Sequence, residues 1–193
     1  KKKYRAEIDA LRAAIDKAGA AIEICEMGVF YPAGDEQTMV QFVTGKTVPE
    51  RGLPLDVGAV VDNVGTLLGI YDAMTEGKSV SSKYLSVVGE VREPIMIHTP
   101  IGTPITQCIE AAKPHLTDYA VIVGGPMMGR VLSDREAIRN AVVTKTTGNL
   151  IVLPRDHYLI TRAGRPMERI RAQARTACIQ CRMCTDLCPR YQI

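Results

Sequence analysis

Cys178-Ile-Gln-Cys181-Arg-Met-Cys184-Thr-Asp-Leu-Cys188-Pro189 packs four thiols into eleven residues, with gaps of two, two and three. Cysteines three apart on a tightly coiled loop can bring three thiolates to three corners of one cubane. This spacing, closed by proline, is the run that binds a [4Fe–4S] cluster. Structural zinc normally takes two ligand pairs separated by a longer loop, and no histidine lies near these thiols. Disulfides are sterically possible, but cysteines this dense suit a metal centre in a reducing compartment better. Cys178, Cys181, Cys184 and Cys188 are therefore the candidate metal ligands.

In two-cluster proteins the fourth cysteine of such a run serves the other cluster. No second run is present, and Cys25 and Cys108 lie far upstream with no useful spacing. The chain opens on Lys1-Lys2-Lys3 and stops at Ile193, so it reads as the middle of a larger protein. The expectation for this chain alone is substoichiometric or oxygen-labile iron.

The elements that carry this run belong to an ordinary globular chain. Hydrophobic residues make up 46% and charged residues 23% of 193 positions, enough for one large or two small domains. No apolar run approaches the ~20 residues that cross a bilayer, and a cytoplasmic location fits the cysteine usage. From Arg155 onward eight arginines face three acidic residues, a net of +5 that leaves −2 for the first 154 residues. That collar suits an anionic cofactor or an acidic electron-transfer partner, or merely solvates a helix leading into an anionic cluster. Tryptophan is absent and phenylalanine occurs only at 30 and 42, so stacking platforms for nucleic acid are scarce.

Helical spacing of Ile8, Leu11, Ala14 and Ile15 predicts an amphipathic helix over 4–18, stopped by Gly19. Ala21–Cys25 reads as a short strand. Asp35 is placed to cap a helix that ends at Gly45. Val57–Val61 reads as a buried strand, with Asp62 and Asn63 leading into a helix over about 64–75. Strand, polar corner and helix, repeated, is α/β grammar, in which ligands gather against helix N-termini. Beyond a boundary near 76–82, strands are predicted over 84–91, 94–100, 119–123, 142–143 and 149–154. A helix from Pro104 to about Ala112 sits among them, with Thr103 as N-cap. Two strands, a helix and further strands suggest a small α+β unit of the β-grasp type. An arginine-rich helix, 167–176, then delivers the chain to Cys178.

Several stretches carry a family resemblance. They are Tyr31-Pro-Ala-Gly-Asp35-Glu36, Gly52-Leu-Pro-Leu-Asp-Val-Gly58, Val61-Asp-Asn63-Val-Gly-Thr66, Pro100-Ile-Gly-Thr-Pro104, Gly124-Gly-Pro-Met-Met-Gly129, Thr144-Lys-Thr-Thr-Gly148 and the cysteine run. Together they resemble the family that includes the C subunit of Rnf-type ferredoxin:NAD oxidoreductases, the flavoprotein subunit of respiratory complex I and the corrinoid reductases of bacterial microcompartments. The last four stretches look most like the corrinoid-reducing branch.

The resemblance implies three domains. Residues 1–80 are the C-terminal part of an FMN- and NADH-binding α/β domain. Residues 81–154 are a β-grasp, soluble-ligand-binding domain of the kind that can hold cobalamin. Residues 155–193 are a linker helix and the start of a truncated ferredoxin-like [4Fe–4S] domain. By position, Tyr31, Gly34, Asp35 and Glu36 face flavin or nicotinamide, and Val61, Asp62, Asn63 and Thr66 meet the flavin phosphate or ribityl chain. The family's glycine-rich flavin loop lies upstream of Lys1.

The implied activity is an NADH-dependent flavo-iron–sulfur oxidoreductase in the full-length protein, passing electrons through FMN and clusters to a corrinoid or corrinoid-carrying enzyme. The implied setting is the cytoplasm or a microcompartment, with shell proteins or sister subunits as partners and no nucleic acid. An Rnf-type subunit is the second reading. A docking scaffold with a structural cluster is the third. Among single residues, Cys25 and Cys108 are expected to be buried hydrophobes, His98 a structural histidine on a strand, and His115 and His157 surface residues. Met127 and Met128 are expected to pack, and Lys145 to be a solvated strand end. No nucleophile–histidine arrangement supports hydrolase chemistry.

Overall fold

A computed structural model describes residues 1–186, so Cys188 and its neighbours lie outside the described residues. The chain divides into two compact units: Lys1–Asp62 with the described residues from Ile179 onward, and Asn63–Cys178.

In the first unit the helix α1, Arg5–Ala18, buries Ile8 and stops where Gly19 turns left-handed. The Glu26 carboxylate accepts from Arg5 (3.1 Å) and Arg12 (2.5 Å), and Lys2 N–H donates to Met27 O at 3.0 Å. These contacts lay 21–27 along α1. The stretch expected as a strand over 21–25 is not one: among the described residues no segment pairs with its backbone in a ladder. The helix α2, Glu36–Thr44, starts at Asp35, whose carboxylate accepts from Thr38 N–H, and ends at left-handed Gly45.

The expected buried strand over 57–61 is also absent. Pro54–Val57 forms a 3₁₀ turn, Gly58 takes φ 78°, and Val60 is 74% exposed. Pro54 presets the turn and the Asp56 carboxylate holds Leu53 N–H at 2.8 Å, so local turn chemistry overrides an apolar run.

In the second unit α3, Val64–Glu76, is followed by β1 (Ser82–Gly89), β2 (Ile95–Pro100), α4 (Ile105–Ala111), β3 (Ala120–Val123), β4 (Arg130–Leu132), α5 (Arg135–Asn140), β5 (Asn149–Leu153), α6 (Tyr158–Ala163) and α7 (Met167–Ala177). The five strands form one mixed sheet in the order β2-β1-β5-β3-β4, making this a mixed α/β protein. Only the β1–β5 pair is parallel. Alternation sends Leu85, Val87, Val121, Leu150 and Val152 to one face, against Ile105, Cys108 and Ile109 of α4. The opposite face buries Ala120 and Ile122 under Ile160 of α6. Each fully buried aliphatic side chain here stabilises by about 1.5–3 kcal/mol.

Two expectations change in this unit. Val142 makes one bridge to Pro104, and Val143 packs in the core without a strand. Pro104, not Thr103, is the cap residue of α4, since the Thr103 hydroxyl donates to Pro100 O at 2.8 Å. The elements β4, α5 and α6 span only three to six residues and were too short to show periodicity. A small cap does betray α6: His157 Nδ1 accepts from Leu159 N–H at 3.2 Å.

Candidate flavin and iron–sulfur sites

In the first unit Tyr31–Gly34 is a turn entered through a cis Tyr31–Pro32 bond. Ala33 N–H donates to Phe30 O and Asp35 N–H to Pro32 O (2.8 Å), winding the chain straight into α2. Tyr31 is 57% exposed, and Gly34 and Glu36 are exposed. The Asp35 carboxylate accepts from both Thr38 N–H (3.2 Å) and the Thr38 hydroxyl (3.3 Å), so its orientation is set by α2. A Cβ at Gly34 would meet nothing within 4 Å. The chain's own packing therefore does not require glycine there, whereas close approach of a planar ligand to the backbone would. Val61 is half-buried and Asp62 exposed.

In the second unit Asn63 caps α3, accepting from Gly65 N–H at 2.9 Å, and Thr66 lies exposed in the first turn. With Gly65 N–H taken by Asn63 Oδ1 and Thr66 and Leu67 N–H by Asn63 O, the exposed Thr66 hydroxyl is the donor that this helix start offers a phosphate. Of these residues Tyr31, Asn63 and Thr66 carry side-chain donors, whereas Asp35, Glu36 and Asp62 only accept.

The cysteines can be placed one by one. Cys178 is the C-cap of α7, its N–H donating to Ala174 O at 3.0 Å. Cys181 lies between Gln180 (φ 59°) and Arg182 (φ 63°), both left-handed without being glycine. Cys184 belongs to the single turn α8, Met183–Asp186. Two left-handed residues in three coil the backbone tightly about Cys181, a costly geometry that clusters at ligand sites. All three thiols are exposed and free, which suits a thiolate-ligated iron cluster in donor type and access. Among the described residues no three thiol, imidazole or carboxylate groups converge on one metal position.

Cys25 is exposed, contrary to the expectation of burial, while Cys108 is 2% exposed. Cys25 lies in the unladdered 21–27 stretch, where nothing covers it. Burial pushes the Cys108 thiol upward and keeps it protonated. Alkylation of the native chain should thus label Cys25, Cys178, Cys181 and Cys184 at least about tenfold faster than Cys108, as mass mapping would reveal. Equal labelling of Cys108 would contradict the packing of α4.

His98 stacks on Tyr84 (centroids 4.2 Å, 13°) and bonds the Ser82 hydroxyl at 2.7 Å, a structural setting on the open part of the sheet. Met127 and Met128 are exposed on their loop instead of packed. Among the described arginines from Arg155 on, only Arg155 has an acidic partner, Asp118 at 2.7 Å. Arg155, then Arg135, holds the Asp118 carboxyl below its usual range. The exposed guanidinia of α7 remain available to an anionic surface.

These placements define a class. Residues 1–72 match the family model described as the Nuo51 FMN-binding domain, Complex1_51K. The solved NAD⁺-reducing [NiFe]-hydrogenase shares the fold, with a TM-score of 0.56 and 24% identity over 81% of this chain and 31% of that one. The chain is 39% identical over its whole length to the cobalamin reductase PduS of Citrobacter freundii and 40% identical to that of Salmonella typhimurium. The C subunit of the ion-translocating oxidoreductase complex of Pseudomonas aeruginosa is 32% identical over 91% of this chain and 22% of that protein. The family resemblance read from the motifs is borne out. The chain spans 42% of the length of the cobalamin reductases it matches.

Proposed function

We propose that this chain is part of an NADH-dependent flavo-iron–sulfur oxidoreductase that delivers electrons to a corrinoid. The observation that carries this reading is an FMN-binding-domain match at one end and the cysteine run at the other, in a chain similar throughout to cobalamin reductases. The flavin would accept hydride and the clusters would carry single electrons, chemistry that belongs to the cofactors.

The chain's own residues bind and orient. Tyr31, Gly34, Asp35 and Glu36 would form a wall for flavin or nicotinamide, with Asp35 held by Thr38. Val61, Asp62, Asn63 and Thr66 would meet the phosphate and ribityl chain. Cys178, Cys181 and Cys184, with Cys188, would supply thiolates. The sheet order 2-1-5-3-4 with α4 across one face supports reading 81–154 as a β-grasp, soluble-ligand-binding domain. Residues 1–80 would then complete an FMN/NADH domain and 155–193 begin a ferredoxin-like one. A cytoplasmic or microcompartment setting follows from this reading. Among the described residues no helix is long and apolar enough to cross a membrane.

The test uses a complete protein carrying this chain, purified anaerobically with FMN and reconstituted clusters. NADH is added with oxidised cobalamin and the corrinoid spectrum followed. Rapid NADH-dependent reduction is the expected result. Reduction of artificial dyes but not cobalamin would overturn it and favour the Rnf-type reading, which rests on the 32% identity to the ion-translocating oxidoreductase.

A further inference from the structure

Two of the motif stretches, to whose residues the electron-transfer reading gives no role, meet in the sheet unit. Val123 and Arg130 form the last ladder pair of the β3–β4 hairpin, closed by Gly124–Gly129. Only glycine fits at 129, where a Cβ would lie 2.6 Å from Gly125 O and 2.8 Å from Val123 O. Asn149 pins this loop to the 144–148 turn: its carbonyl accepts from Gly124 N–H (2.8 Å) and its amide donates to Gly124 O (3.3 Å). Between them lies a cavity of about 350 Å³ lined by Arg130, Thr144, Thr146, Thr147, Val123 and Val142. That volume falls in the range of small-molecule sites.

The lining is rich in donors. Arg130 is exposed and has no ion pair among the described residues, and no acidic side chain lines the cavity. The hydroxyls form a chain, Thr147 to Thr144 at 3.0 Å and Thr144 to Thr146 at 3.1 Å. Thr147 Oγ1 is buried and accepts from Thr144 N–H at 3.0 Å. In each hydroxyl pair either oxygen can donate, and Thr144 and Thr146 are exposed. An unpaired guanidinium beside exposed hydroxyls, backed by apolar Val123 and Val142, calls for an oxyanion with a carbon body.

We propose that this cavity is a binding site for a small ligand presenting a phosphate or carboxylate group to Arg130 and Thr146. The site is separate from the flavin and cysteine residues and does not depend on their assignment. The test is an NMR titration of the isotopically labelled chain with inorganic phosphate and, separately, sodium butyrate, against sodium chloride at matched ionic strength. Saturable shifts confined to Arg130 and 144–148 are expected with at least one probe, and which one saturates identifies the oxyanion. Arg130→Gln should weaken binding at least tenfold and Thr146→Val several-fold, with Lys145→Gln within twofold of the parent. Shifts that only track salt, that survive Arg130→Gln, or that fall equally in Lys145→Gln would overturn the proposal.

Discussion

Replacing Cys181 with alanine in the complete, reconstituted protein is expected to abolish the cluster proposed for this run. NADH-dependent corrinoid reduction should fall by about 100-fold or more, since even outer-shell changes at metal sites cost 10–100-fold. Cys181 is the middle thiol of three and sits between left-handed Gln180 and Arg182, so neither neighbour can take its place without rebuilding the coil. Reduction of artificial dyes by NADH, which needs only the flavin, should persist. Cys25→Ala is the control: an exposed thiol outside the run, whose loss should leave iron, sulfide and rate unchanged. Unaltered iron content and an unaltered rate in Cys181→Ala would remove the cluster from the proposed electron path.

Gly89→Ala should be the most damaging single change in the sheet unit. Gly89 ends β1 at φ 99°, and a Cβ there would lie 2.1 Å from Val152 O. That same carbonyl accepts from Glu90 N–H at 2.8 Å, so relief by moving Val152 breaks the β1–β5 register. Left-handed strain of about 1–3 kcal/mol adds to overpacking of about 1–3 kcal/mol, giving a loss near 4 kcal/mol. Urea unfolding at equilibrium measures it. Gly34→Ala makes the contrast, since its Cβ would enter open space and stability should hold. A Gly89→Ala midpoint equal to that of the parent would refute the close approach of β1 and β5.

Much of the local structure was written in residue types. Asp35, Asn63, Gly19 and Gly45 mark helix ends because capping is a bond between near neighbours. The strands around 84–89, 95–100, 120–123 and 149–153 are long or apolar enough to read directly. The donor set proposed for iron is equally local, being four thiols at fixed gaps. What failed was relational. A strand needs a partner, and among the described residues 21–25 and 57–61 have none despite their composition.

Burial is relational too, so Cys25 and Cys108 look alike in sequence and end with opposite exposure. The order β2-β1-β5-β3-β4 likewise follows from long-range pairing, which no short window contains. That pairing brings Arg130 beside Thr146 and makes a donor-lined cavity from two stretches that sequence alone leaves apart. The proposal of iron at the cysteines rests on the sequence by itself, because the spacing of thiols along the chain is a local property. Whether side chains distant in sequence share a site was decided only by the tertiary structure, because hydrogen-bonded register fixes which distant residues become neighbours.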